Sequence, residues 1–196
     1  MLFLLYILSL TQVILDVLHL VLFTDKIRAR DWRYLMELLD LVDFDGRLLG
    51  RTVERGTPLN DDEYITLTIV YLKCNDKYLL QLTSKKKGAE YAATGGHVSS
   101  GNTSRQQAVI ECSEELGIDL DINKLELLGK LYGGHAIFDI YLYEDNSLDR
   151  VKMVLQNDEV DSVYWFTPVQ IDELISQGMV RLSTCKHYQK FIREKK

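Results

Sequence analysis

Three glutamates, Glu111, Glu114 and Glu115, stand three and four residues apart within residues 95–118. Those offsets put side chains on one helical face, where like charges repel and weaken the helix. A helix that keeps them offers its carboxylates to a cation, and hard oxygen donors suit magnesium or manganese. The flanks read as loop, helix and stop. Gly95-Gly96 and Ser99-Ser100-Gly101-Asn102 carry turn chemistry. Thr103 with Gln106 is a capping-box pair that starts a helix near Ser104. Ala108, Val109, Cys112 and Leu116 give that helix an apolar side, and Gly117 stops it. A glycine-rich loop entering a helix presents backbone N–H groups that suit phosphate. Metal carboxylates beside such a loop point to pyrophosphate chemistry.

The same run resembles the Nudix box, G-x5-E-x7-R-E-U-x-E-E-x-G-U, with U a bulky apolar residue; the matching positions are Gly96, Glu111, Cys112, Glu114, Glu115, Gly117 and Ile118. Two positions depart from it. Asn102 stands where the family has its early glutamate, and Ile110 stands where it has arginine. In the family these two commonly pair and brace the loop against the helix. Losing both removes an ion pair without leaving a lone charge. The family arginine also orients the first helical glutamate, which makes the positioning of Glu111 the open question.

The resemblance runs over roughly residues 36–180, and several segments look like the branch related to isopentenyl-diphosphate isomerase. They are Leu39-Asp40-Leu41-Val42-Asp43-Phe44-Asp45-Gly46, then Gly50-Arg51-Thr52-Val53-Glu54-Arg55-Gly56, Thr94-Gly95-Gly96-His97-Val98 and Asn157-Asp158-Glu159-Val160 followed by Trp165-Phe166. What the resemblance implies is an α/β/α sandwich with a mixed β-sheet, and a hydrolase that cleaves the pyrophosphate of a nucleoside diphosphate linked to another group. Its cofactor would be Mg2+ or Mn2+. The implied metal set is Gly96 through its carbonyl, Glu111, Glu114 and Glu115. The implied catalytic set is Glu111, Glu114, Glu115 and Glu159, the last as an acid on a nearby loop. Arg55, Lys85 and Lys87 are the cations offered to substrate phosphates. Two alternatives stand beside this reading. Isomerase-like activity needs a cysteine just before the Gly-His pair, where this chain has Gly95. A non-catalytic nucleotide-binding module would follow from a box loosened at Asn102 and Ile110.

The chain as a whole narrows the partners. Its 196 residues are enough for one domain with a sizeable core. A net charge of −6 and a single basic cluster, Lys85-Lys86-Lys87, disfavour a nucleic-acid polymer. The expected partner is a small pyrophosphate substrate, and a homodimer is compatible with the chain. Three scattered cysteines, Cys74, Cys112 and Cys185, form no metal motif and point to a reducing, cytoplasmic setting. Tyr132, Tyr141 and Tyr143 are read as core packing, and His97 as a loop residue making local hydrogen bonds.

Two domains are expected, an apolar extension over residues 1–35 and the hydrolase over residues 36–196. Residues 1–23 are long enough to span a bilayer, and any membrane contact would fall to them. Lys26, Arg28, Arg30 and Arg33 would then keep the rest in the cytoplasm. Asp16 argues against a span. An accessory or unphysiological extension ahead of Met36 and a core helix are the other readings. Further along, residues 27–41 read as a helix. Strands are expected over residues 47–55, 64–73, 77–82, 125–131, 136–143 and 160–166. Thr167-Pro168 opens a helix ending by Gly178, and residues 183–195 form a last one.

Overall fold

The computed structural model describes residues 37–193. The chain separates into two compact units, Met1–Leu38 and Leu39–Lys196, and the described residues belong almost wholly to the second. The readings of residues 1–35, and of the first part of the helix expected over 27–41, lie outside the described residues. The end of that expected helix is a strand. In β1 (Leu38–Val42), Leu39, Leu41 and Val42 are buried. It pairs with β2 (Leu48–Glu54) across the turn Asp43–Gly46.

The main sheet is built on β3 (Ile65–Cys74). β-branched and aromatic residues dominate its ten residues, and both of its faces are covered, as a central strand requires. β3 runs parallel to β8 (Ala136–Glu144), from Ile65 opposite Ala136 to Lys73 opposite Glu144. Its other edge is shared. β4 (Lys77–Thr83) pairs antiparallel with its C-terminal end, and β6 (Thr94–His97) pairs antiparallel with its middle. β7 (Glu126–Gly133) extends the sheet beyond β8, and β9 (Val160–Phe166) and the two-residue β5 (Tyr91–Ala92) flank β4. The sheet is therefore mixed, as expected.

Side-chain alternation along β3 makes two cores. Val70, Leu72 and Cys74 face α1 (Ser104–Leu116), packing with Ala108, Cys112, Leu116, Tyr141 and Tyr143. Ile69 and Tyr71 face the C-terminal helices, α2 (Pro168–Ser176), α3 (Leu182–His187) and the π-helical turn Tyr188–Arg193, through Ile171, Tyr188 and Ile192. This is an α/β/α sandwich. Of the expected aromatic core group, Tyr141 and Tyr143 are buried, but Tyr132 is 43% exposed and stacks on Phe44 with ring centroids 4.8 Å apart. All three cysteines are free thiols. No helix among the described residues is long and apolar enough to cross a membrane.

Candidate active site

α1 begins as its sequence requires. Thr103 accepts from the Gln106 backbone N–H while the Gln106 side chain accepts from the Thr103 N–H, closing the capping box. The loop before it differs from expectation. Gly95 and Gly96, read as a turn, lie in β6, opposite Ile69 and Thr68. Close approach explains both glycines. A Cβ on Gly95 would sit 2.1 Å from the Thr68 carbonyl oxygen, and one on Gly96 would sit 2.5 Å from Glu111 Oε1. Nor does the loop offer a free anion site. The Gly101 N–H and the Ser100 hydroxyl donate to the Asp40 carboxylate, and the Asn102 N–H donates to the Ser99 carbonyl. The Ser99 N–H is taken by Gln107. The phosphate-friendly N–H groups read from the sequence are largely spent inside the protein.

The carboxylates lie further along the helix. Glu115 is buried, 7% exposed, and its Oε2 accepts from Gln81 Nε2 on β4 at 3.1 Å. The Gln81 oxygen in turn accepts from the Thr94 hydroxyl at 3.3 Å. Burial first, then the charges of Glu111 and, more weakly, Glu159 push the Glu115 carboxyl up to about 8, against hydrogen bonds from Gln81 and the Gly95 backbone. Glu111 is half-buried against Gly96 and accepts from Gln107 Nε2 at 2.9 Å. Glu114 is exposed.

Glu159 comes from a different part of the chain. Two loops are tied together: the Ser84 N–H donates to the Glu159 carbonyl, and the Ser84 hydroxyl donates to that of Asp158. Lys86 pairs with Asp158 at 3.1 Å and Lys87 with Glu159 at 2.8 Å. This joint sets Glu159 close enough to Glu115 to influence its charge. Lys87 thus meets the acidic group, while Lys85 and Arg55 are exposed. His97 is half-buried in β6 opposite Leu67.

Gln81 and Gln107 were missed from sequence. Gln81 had a signal, a lone amide in the apolar strand Lys77-Tyr78-Leu79-Leu80-Gln81-Leu82. Gln107 had a weaker one, a polar residue one turn before Glu111 on the side that turns inward.

A NUDIX domain model matches residues 65–183, more than half of the chain. The chain belongs to the Nudix family. An uncharacterized Nudix hydrolase from Listeria innocua is 29% identical over 149 residues, covering 73% of this chain and 87% of the relative. A crystal structure from Deinococcus radiodurans superposes with a TM-score of 0.67 at 18% identity, covering 80% of this chain and 100% of that one. The bifunctional NMN adenylyltransferase/ADP ribose pyrophosphatase of Francisella tularensis, solved with AMP and a manganese ion, gives a TM-score of 0.56 at 15% identity, over 70% of this chain and 43% of that one. These likenesses support the Nudix hydrolase family and not the narrower isomerase-like branch.

The donors of this Nudix site suit a hard divalent ion in type. They are carboxylate oxygens, one buried among like charges and one seated where a Cβ would otherwise be. They are not a finished cage. Among the described residues no three His, Cys, Asp or Glu side chains converge closely enough to hold an ion as they stand.

Proposed function

We propose that this Nudix protein hydrolyses a pyrophosphate bond in a nucleoside diphosphate linked to another group, with Mg2+ or Mn2+ as cofactor. The observation that carries the reading is Glu115. Its carboxyl is buried beside Glu111 and Glu159 and raised to about 8, an arrangement that destabilises its charged form unless a cation compensates. Glu111, Glu114, Glu115 and the Gly96 carbonyl would hold that cation. The chemistry it supplies when bound is a more acidic water and neutralisation of charge on the breaking phosphoanhydride.

The chain's own residues do the rest. Gln81 fixes one Glu115 oxygen without neutralising it, and Gln107 does the same for Glu111. Glu111, or Glu159 on the joined loops, would take a proton from the attacking water. Lys87, paired with Glu159, would be the cation to meet substrate phosphate, and Lys85 and Arg55 would be the further cations offered to it.

A panel of nucleotide pyrophosphates assayed with Mg2+ or Mn2+ tests this; hydrolysis lost in Glu115→Gln is the expected result. Turnover of no member beside an active control hydrolase would sink it. A second reading, nucleotide binding without hydrolysis, draws on Asn102, Ile110 and the unconverged carboxylates. Calorimetry showing nucleotide binding unaffected by Glu115→Gln would favour that reading. The isomerase reading has little support, because the position before the Gly-His pair has no room for a cysteine side chain.

A further inference from the structure

Glu111 and Gln107 are four residues apart on α1 and share a face. Gln107 is buried, 4% exposed, so its amide must find partners within the protein. Its oxygen accepts from the Asn102 side-chain amide at 3.0 Å and from the Ser99 backbone N–H at 3.3 Å. Its nitrogen donates to Glu111 Oε1 at 2.9 Å. Only one orientation of the amide satisfies these partners. Reversed, its NH2 would face the Asn102 NH2 and the Ser99 N–H, and its oxygen would face the Glu111 carboxylate. One side chain therefore ties the loop over residues 99–102 to the first glutamate of the acidic face. It reaches Glu111 just where Glu111 lies against Gly96.

We propose that Gln107 is a positioning residue for Glu111, a neutral brace that holds the carboxylate against Gly96 while leaving its charge intact. Asn102 is the anchor of that brace in the loop. A cationic brace would lower the carboxylate's basicity and compete with a divalent ion for it; an amide does neither. The proposal rests on the reading of Glu111 as a metal-binding residue.

Gln107→Met keeps the volume and removes every hydrogen bond. Gln107→Glu keeps an acceptor for Ser99 and Asn102 and turns a carboxylate toward Glu111. Full-chain wild type and both variants are compared in three ways. The first is a crystal structure of each without added metal. In both variants Glu111 is expected to leave its seat on Gly96, while the loop over residues 99–102 shifts in Gln107→Met and stays in Gln107→Glu. The second is Mn2+ affinity by electron paramagnetic resonance, expected to weaken in Gln107→Met by about 10–100-fold, the usual loss when a residue supporting a metal ligand is removed. The third is steady-state hydrolysis, where kcat should fall with the KM for nucleotide nearly unchanged. Glu111 remaining on Gly96 in both variants overturns the proposal, as does wild-type kcat and Mn2+ affinity in Gln107→Met. A wild type that hydrolyses nothing counts against the proposed function, while the metal-free crystal structures still decide the role of Gln107. Should Gln107→Met fail to fold, the metal-free crystal structure of Gln107→Glu decides: Glu111 leaving Gly96 supports the proposal, and Glu111 remaining there overturns it.

Discussion

Among the buried titratable side chains, His187 on one face of the sheet and Glu115 on the other are treated differently. On the C-terminal helix side, His187 is 1% exposed and its Nδ1 lies 2.8 Å from the Tyr71 hydroxyl. Burial alone pushes its pKa down to about 3. On the α1 side, Glu115 is raised to about 8 by burial and also by the charges of Glu111 and Glu159. Both groups are neutral at pH 7. His187 is neutral among neutral neighbours, which is the behaviour of a core. Glu115 is neutral because it is buried and, beyond that, because acidic neighbours have been gathered around it, and this is costly unless a cation is the intended guest. The contrast separates structure from site more sharply than burial does.

The largest expected effect follows from removing the Glu115 carboxyl. Glu115→Gln should reduce hydrolysis by more than about 100-fold, the upper end for a residue one step removed from a metal. The metal-free variant should nonetheless be at least as stable as wild type by thermal denaturation at pH 8, since a neutral amide replaces a carboxyl that resists ionisation. A variant both inactive and markedly less stable would make Glu115 a structural core residue, as His187 is.

The pH dependence of stability sharpens the comparison next. Glu115 has its folded pKa raised above the unfolded value of 4.5, so its contribution is fully present below pH 4.5 and is lost as pH rises through about 8. His187 has its folded pKa depressed below 6.5, so its contribution is present above pH 6.5 and is lost as pH falls toward 3. Between pH 6.5 and 8 only Glu115 of this pair acts. Metal-free wild type should lose stability across that window in urea titrations, and Glu115→Gln should show a flatter profile. His187→Phe should flatten the acid limb instead, leaving the alkaline one unchanged.

Smaller effects are expected at the supports. Asp40→Ala frees the Gly101 N–H and the Ser100 hydroxyl and should lower stability by about 1 kcal/mol, a typical net value for a hydrogen bond. Adding inorganic phosphate should then protect Asp40→Ala against heating more than it protects wild type. Lys87→Met breaks a partly exposed ion pair with Glu159, worth no more than about 1 kcal/mol. It should slightly tighten Mn2+ binding while raising the KM for the nucleotide.

Much of this was legible in the chain because local rules agreed with the fold. The α1 boundaries followed from Thr103, Gln106 and Gly117, and those of α2 from Thr167 and Pro168. The strand pairs around residues 64–82 and 125–143 followed from composition and turns. What failed was local pattern overridden by distant partners. Leu38–Val42 looks helical by its apolar spacing, yet its carboxylate Asp40 reaches the loop sixty-one residues away at Gly101. Gly95-Gly96 resembles a turn, yet it is a strand kept bare so that Thr68 and Glu111 can approach. The acidic triplet was visible as a pattern, but its unequal members were not. Glu115 is buried and Glu114 is exposed because Gln81 and the loop at Glu159 lie over one side of the helix only. Tyr132 shows the same limit, since it stacks at the surface on Phe44, which belongs to a separate hairpin.

In the proposed function this acidic group takes a divalent cation by giving up a proton. Calorimetric titration of Mn2+ into the full chain at pH 7, repeated in buffers of different ionisation enthalpy, measures that proton directly. Binding with release of about one proton per ion is expected, because a metal-held carboxylate must be deprotonated, and that release should be lost in Glu115→Gln. No binding, or binding whose proton count is the same in wild type and Glu115→Gln, would contradict it.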